Sequence, residues 1–97
     1  MKRYELIGQL TGVYFGQDAY LLFGETGAEI MAEYRKASTP AELEALRAEI
    51  VEFMNAHPDP AELERVFERD FHRSYQPPEF GTTAQEFLRS MLLAALK

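Results

Sequence analysis

The sequence predicts an all-α fold, a compact bundle of about five helices in a single domain that spans residues 1–97. Four short segments carry side chains that cap helix N-termini, and apolar residues follow each of them at helical spacing. No stretch shows the sustained alternation of apolar and polar residues that a half-buried strand requires. A chain of 97 residues supports one modest hydrophobic core.

The first predicted helix lies near the N-terminus. Its apolar residues recur at the spacing of one helix face: Leu6, Ile7, Leu10, Val13 and Tyr14. Gly8 and Gly12 interrupt it, and a glycine inside a helix costs about 1 kcal/mol relative to alanine. We expect another helix to approach closely at both glycines. Together with Gly16 they form two GxxxG motifs, but the polar residues between them favour packing in a soluble bundle over a membrane helix dimer.

The other four predicted helices begin at recognisable capping signals. Three segments fit the capping box and a fourth is its aspartate analogue: Thr26 to Glu29, Thr39 to Glu42, Thr83 to Glu86, and Asp59 to Glu62. Pro40 and Pro60 occupy the first helical position, where a missing N–H group costs nothing. The apolar stripes that follow include Ile30 and Met31, Leu46 and Ile50, Leu63 and Phe67, and Phe87 and Met91.

Two segments mix aromatic residues with glycine or proline, which is unusual for ordinary helix residues, so we expect them to make specific tertiary contacts. They run from Gly12 to Asp18 and from Tyr75 to Thr82. The two prolines of the second segment predict a rigid loop from which Tyr75 and Phe80 pack back onto the bundle. Residues 20–23 are either a short helical turn or an extended apolar segment.

Catalytic machinery is not evident, so we predict that the protein is not an enzyme and holds no cofactor. The chain has no cysteine, no nucleophile elbow and no glycine-rich phosphate loop. Glu68 and His72 are four residues apart, but a third metal ligand is not evident. His57 and His72 both stand near predicted helix C-termini, where positive charge is favourable. We therefore predict no metal site.

The formal net charge of −6 argues against nucleic acid and anionic lipid as partners and favours a basic protein partner. No apolar run approaches the roughly 18 residues that a membrane span requires. The charged N-terminus is not followed by the apolar region of a signal peptide. We therefore expect a cytoplasmic protein that binds neither membranes nor nucleic acids.

Two motifs give the chain a resemblance to a known family. Residues 7–18 fit the pattern Leu-x-x-Leu-x-Gly-x-Tyr-Phe-x-Gln-Asp with isoleucine first, and residues 75–83 fit Tyr-x-Pro-Pro-x-x-Gly-x-Thr. In order and spacing the chain resembles, over nearly its whole length, the helical immunity proteins of contact-dependent growth inhibition, called CdiI. Phe23 and Phe87 stand where tyrosine and tryptophan are more usual, and both replacements keep an aromatic ring.

The resemblance implies an immunity protein that binds and neutralises the C-terminal toxin domain of a surface adhesin, often a nuclease, as a monomer in a one-to-one complex. Residues that define the family hold the fold, so Tyr14, Phe15, Tyr75 and Pro77 are poor candidates for the contact surface. The alternative is an acidic helical adaptor or regulatory module unrelated to toxins.

We predict that the toxin contacts an acidic ridge after residue 40, with two further acids at its edge. The ridge comprises Glu49, Glu52, Glu64, Glu68 and Asp70, and the edge comprises Asp18 and Glu79. Opposite potentials on the two partners speed encounter and fix orientation. Replacing both Glu64 and Glu68 with lysine is therefore expected to weaken toxin binding while leaving the domain folded.

Overall fold

A computed structural model describes residues 4–71 and 76–96, apart from the side chains of residues 19 and 20. Helix α1 (Glu5–Gln9) continues into a π-helical turn (Leu10–Tyr14), and α2 (Ala19–Leu22) is a single turn. The longer helices are α3 (Gly27–Ala37), α4 (Pro40–Ala56), α5 (Pro60–Asp70) and α6 (Ala84–Ala95), with a 3-10 turn at Pro78–Phe80. No strand occurs in the described ranges, so the all-α prediction is confirmed, and residues 20–22 belong to a helical turn.

The predicted start residues cap their helices. Each side chain accepts a hydrogen bond from the backbone N–H three residues later, at Thr26, Thr39, Asp59 and Thr83. The boxes at Thr39 and Thr83 are complete, because the glutamate at the third helical position bonds the cap residue's own N–H. At Thr26, the Glu29 carboxylate accepts a hydrogen bond from the threonine hydroxyl and not from the threonine N–H group. Backbone N–H groups at the start of α6 lower the pKa of Glu86 below its ordinary value.

The N-terminal helix differs from the prediction at Gly12. The Phe15 N–H donates to the Leu10 carbonyl five residues back, which is the bond of a π-helix. An added Cβ at Gly12 meets no atom within 4 Å, and at Gly8 it makes only ordinary contact with the Phe71 ring at 3.7 Å. The expected close approach of a second helix at both glycines is therefore wrong, since Gly12 faces solvent.

A chain of phenylalanine rings runs through the core and joins the two aromatic segments. Adjacent ring centroids lie 5.7, 5.0, 6.0 and 6.3 Å apart in the order Phe80, Phe15, Phe87, Phe67 and Phe53. Phe15 from the first segment and Phe80 from the second are both buried and touch one another. The predicted tertiary contacts of these segments are confirmed for the two phenylalanines, and Tyr75 lies outside the described residues.

Helix α6 is the central element, because it packs against α3, α4, α5 and the 3-10 turn. Charged side chains from three other helices hold its two ends. At the N-terminus, the Ala84 N–H donates to Glu64 Oε1 at 2.7 Å. At the C-terminus, Arg35 Nη1 donates to the Ala94 carbonyl at 2.8 Å and Arg47 Nη1 to the Ala95 carbonyl at 3.0 Å. Each charge has the sign that stabilises its end of the helix dipole.

Replacing Glu64 with alanine is expected to lower the free energy of unfolding by about 1–3 kcal/mol, because the N–H group of the buried Ala84 at the start of α6 loses its charged acceptor. Glu64→Gln retains a carbonyl acceptor and should lose less. Urea unfolding followed by circular dichroism measures both variants. Equal losses would show that the bond to Ala84 does not account for the stability.

Replacement of Gly27 by alanine and replacement of Gly12 by alanine are expected to have opposite effects on the stability of the fold. A Cβ at Gly27 would lie 2.4 Å from Cε1 of the buried Phe80 ring, so Gly27→Ala should destabilise by about 1–3 kcal/mol. A Cβ at Gly12 meets nothing, so Gly12→Ala should be neutral or stabilise by up to about 1 kcal/mol. Thermal unfolding of the matched pair tests the packing, and an unchanged midpoint for Gly27→Ala would contradict it.

Candidate partner-binding surface

Three of the seven predicted contact acids bond the first turns of other helices. Glu49 Oε1 accepts hydrogen bonds from the N–H groups of Leu6 at 3.0 Å and Ile7 at 3.2 Å, in α1. Glu64 bonds the start of α6, as described above, and Glu79 accepts a hydrogen bond from the Gly27 N–H at the start of α3. These carboxylates join segments that are distant along the chain.

The bonding of distant helix starts by Glu49, Glu64 and Glu79 was not predicted, because the local sequence carries no signal for it. The acceptors lie 43, 20 and 52 residues from the amides they bond, at Leu6, Ala84 and Gly27 respectively. A lysine at Glu64 could not accept the bond from Ala84, so this substitution is expected to cost some stability, and the expectation that the domain stays folded remains a prediction. The proposed role of these three acids in partner binding stays a prediction.

The other four predicted contact acids are exposed and lie in three different parts of the fold: Asp18, Glu52, Glu68 and Asp70. Asp18 precedes α2, and its carbonyl accepts hydrogen bonds from two amides of that turn. Glu52 lies on α4, whereas Glu68 and Asp70 lie on α5, where Asp70 pairs with Arg69 at 3.0 Å. The structure therefore distributes these acids over the surface, and only Glu68 and Asp70 share a helix.

A groove between α4 and α6 combines exposed apolar surface with acidic groups. We define the α4–α6 groove by its lining residues: Glu44, Arg47, Ala48, Val51, Glu52, Asn55, Leu92 and Leu96. Its volume is about 680 Å³, enough to receive several side chains of a partner. Val51 is 44% exposed and Leu96 is 61% exposed, although both are large aliphatic residues. The groove is therefore an apolar surface that the described part of the chain leaves uncovered.

Helix α4 forms this groove because it carries a second stripe of residues in addition to its core stripe. Leu46, Ile50 and Phe53 are fully buried and face the core. The six lining residues contributed by α4 recur at helical intervals from Glu44 to Asn55, which span about 16 Å at 1.5 Å per residue. The sequence signal for the groove was Val51, an aliphatic residue placed off the core stripe of the helix.

The described residues give no indication of metal or membrane chemistry. They contain no group of three or more acidic or histidine side chains arranged to hold a metal ion. The predicted pair of Glu68 and His72 cannot be assessed as a unit, since His72 lies outside the described residues. None of the described helices is both long and apolar enough to cross a membrane.

Comparison with known proteins identifies the family. No curated protein and no solved structure matches the chain significantly. The family model described as CdiI immunity protein matches residues 3–94, and this range includes both aromatic motifs, the helices that pack around α6 and every residue that lines the α4–α6 groove except Leu96. Because that match covers nearly the whole sequence, the chain belongs to the CdiI immunity protein family.

Proposed function

We propose that this protein protects its own cell by binding and neutralising the toxin domain of a contact-dependent growth inhibition system. The observation that carries the proposal is the family match over residues 3–94. The protein acts in the bacterial cytoplasm as a monomer in a one-to-one complex. It inhibits by covering the active site or substrate channel of the toxin and performs no chemistry of its own.

The proposed partner is a basic toxin domain, and a nuclease fits best. A nuclease needs positive charge to hold the phosphate backbone of its substrate. The net charge of −6 on this protein complements such a cleft and would accelerate encounter with it. Attraction of this kind weakens as salt screens the charges.

The predicted acids contribute to this interaction in two ways. Glu49, Glu64 and Glu79 already hold helix starts, so we propose that they act mainly by fixing the surface in place. Asp18, Glu52, Glu68 and Asp70 are exposed, and we propose them as the acids that face the toxin. Substitutions of the second group leave the bonds of Glu49, Glu64 and Glu79 to helix starts in place.

Titration calorimetry against the toxin domain encoded beside this protein is expected to give one-to-one binding with Kd in about the nanomolar range. Co-expression of the two should restore growth that the toxin alone abolishes. A folded and active toxin domain that shows no binding and no loss of toxicity in the presence of this protein would contradict the proposal. It would favour an adaptor role instead.

Reversing charge at Glu68 is expected to weaken binding about tenfold, because an exposed acid that faces a basic partner becomes a repulsive charge. Glu5→Lys is the matched control, since it reverses an exposed helical glutamate at the other end of the chain. The affinities of wild type and Glu68→Lys should differ at low salt and converge at high salt, where the charges are screened. Equal affinities for Glu68→Lys and Glu5→Lys at low salt would remove Glu68 from the contact surface.

A further inference from the structure

We infer that the α4–α6 groove is the central contact surface for the toxin, and that it receives apolar side chains flanked by lysine or arginine. This inference rests on the proposed function. It adds where on this protein the toxin binds and which toxin side chains the surface receives. The four acids proposed to face the toxin do not define such a surface alone, because they lie on α4, on α5 and in the turn before α2. The groove supplies the apolar centre that stable protein interfaces require.

The floor of the groove is apolar and lies on rigid elements. Ala48 and Val51 on α4 line it together with Leu92 on α6 and Leu96, which directly follows α6. The backbones on both sides are fixed by the core, because Ile50 on α4 and Met91 on α6 are fully buried next to these lining residues. A partner therefore meets a preformed surface and loses little binding energy to ordering it.

The rim of the groove carries the charges that select the partner. Glu44 and Glu52 are exposed carboxylates one helical turn on either side of Ala48. The cation that lines the groove is Arg47, and its Nη1 donates to the Ala95 carbonyl at the end of α6. Among the described residues that line the groove, two carboxylates outnumber one guanidinium, so the rim favours basic groups around an apolar centre.

A second copy of this chain suits the groove poorly. In a symmetric dimer the same patch meets itself, so two rims that each carry more acids than cations among their described residues would face one another. Each protomer also carries a net charge of −6, which opposes self-association. The basic toxin domain lacks this repulsion, and we therefore assign the groove to it.

Replacing Ala48 with arginine tests the groove directly. The new side chain would fill the apolar floor and place a positive charge four residues from both Glu44 and Glu52. Alanine and arginine both favour helices, and Ala48 is exposed, so the fold should persist. Ala48→Arg is expected to weaken binding to the toxin domain by at least about tenfold.

Ala28→Arg is the matched control, because it makes the same change at an exposed alanine of α3 that does not line the groove. It should bind within about twofold of wild type. If wild type binds the toxin and Ala48→Arg binds equally well, the groove inference fails and the immunity function stands. If wild type does not bind, the proposed function itself fails.

Two further measurements begin with the wild-type protein. Hydrogen exchange of the wild-type complex should show slowed exchange in residues 44–55 and 92–96 relative to the free protein. Protection confined to other segments would overturn the inference. Light scattering of the free protein should give a monomer, and a dimer that Ala48→Arg dissociates would assign the groove to a second copy instead.

Discussion

The architecture depends on α6, a helix held at both ends by charged side chains from three other helices. Glu64 of α5 bonds the first amide of α6, and Arg35 of α3 and Arg47 of α4 bond its last carbonyls. These bonds orient α3, α4 and α5 around one axis, and the buried face of α6 fills the space between them. Burial of apolar surface supplies most of the stability, whereas the charged caps set the register in which the helices meet.

The same arrangement produces the surface proposed for binding. Arg47 both closes the C-terminus of α6 and lines the α4–α6 groove, so helix capping and groove geometry share a residue. Fixing the end of α6 against α4 holds Leu96 beside the outward stripe of α4. A protein whose task is inhibition benefits from such rigidity, because a preformed surface binds with less loss of conformational entropy.

The helix starts were predictable because capping is local: Thr39 and Thr83 meet their partners three residues away. Tertiary contacts of the two aromatic segments were expected, but their contact with each other through Phe15 and Phe80 required the structure. Long-range caps were not predictable, since an exposed acid and a capping acid such as Glu49 look alike in sequence. The groove was missed for a related reason, because Val51 differs from a core residue only in its angular position on α4.

Native-state hydrogen exchange of the free protein tests most directly whether α6 is the element on which the bundle depends. The amides of Leu88 and Met91 lie in the middle of the capped helix, where both side chains are fully buried. They should exchange only through global unfolding, with the full free energy of unfolding measured in urea. Exchange of these amides through local opening, at a lower free energy than the amides of Leu46 and Ile50 in α4, would contradict the account.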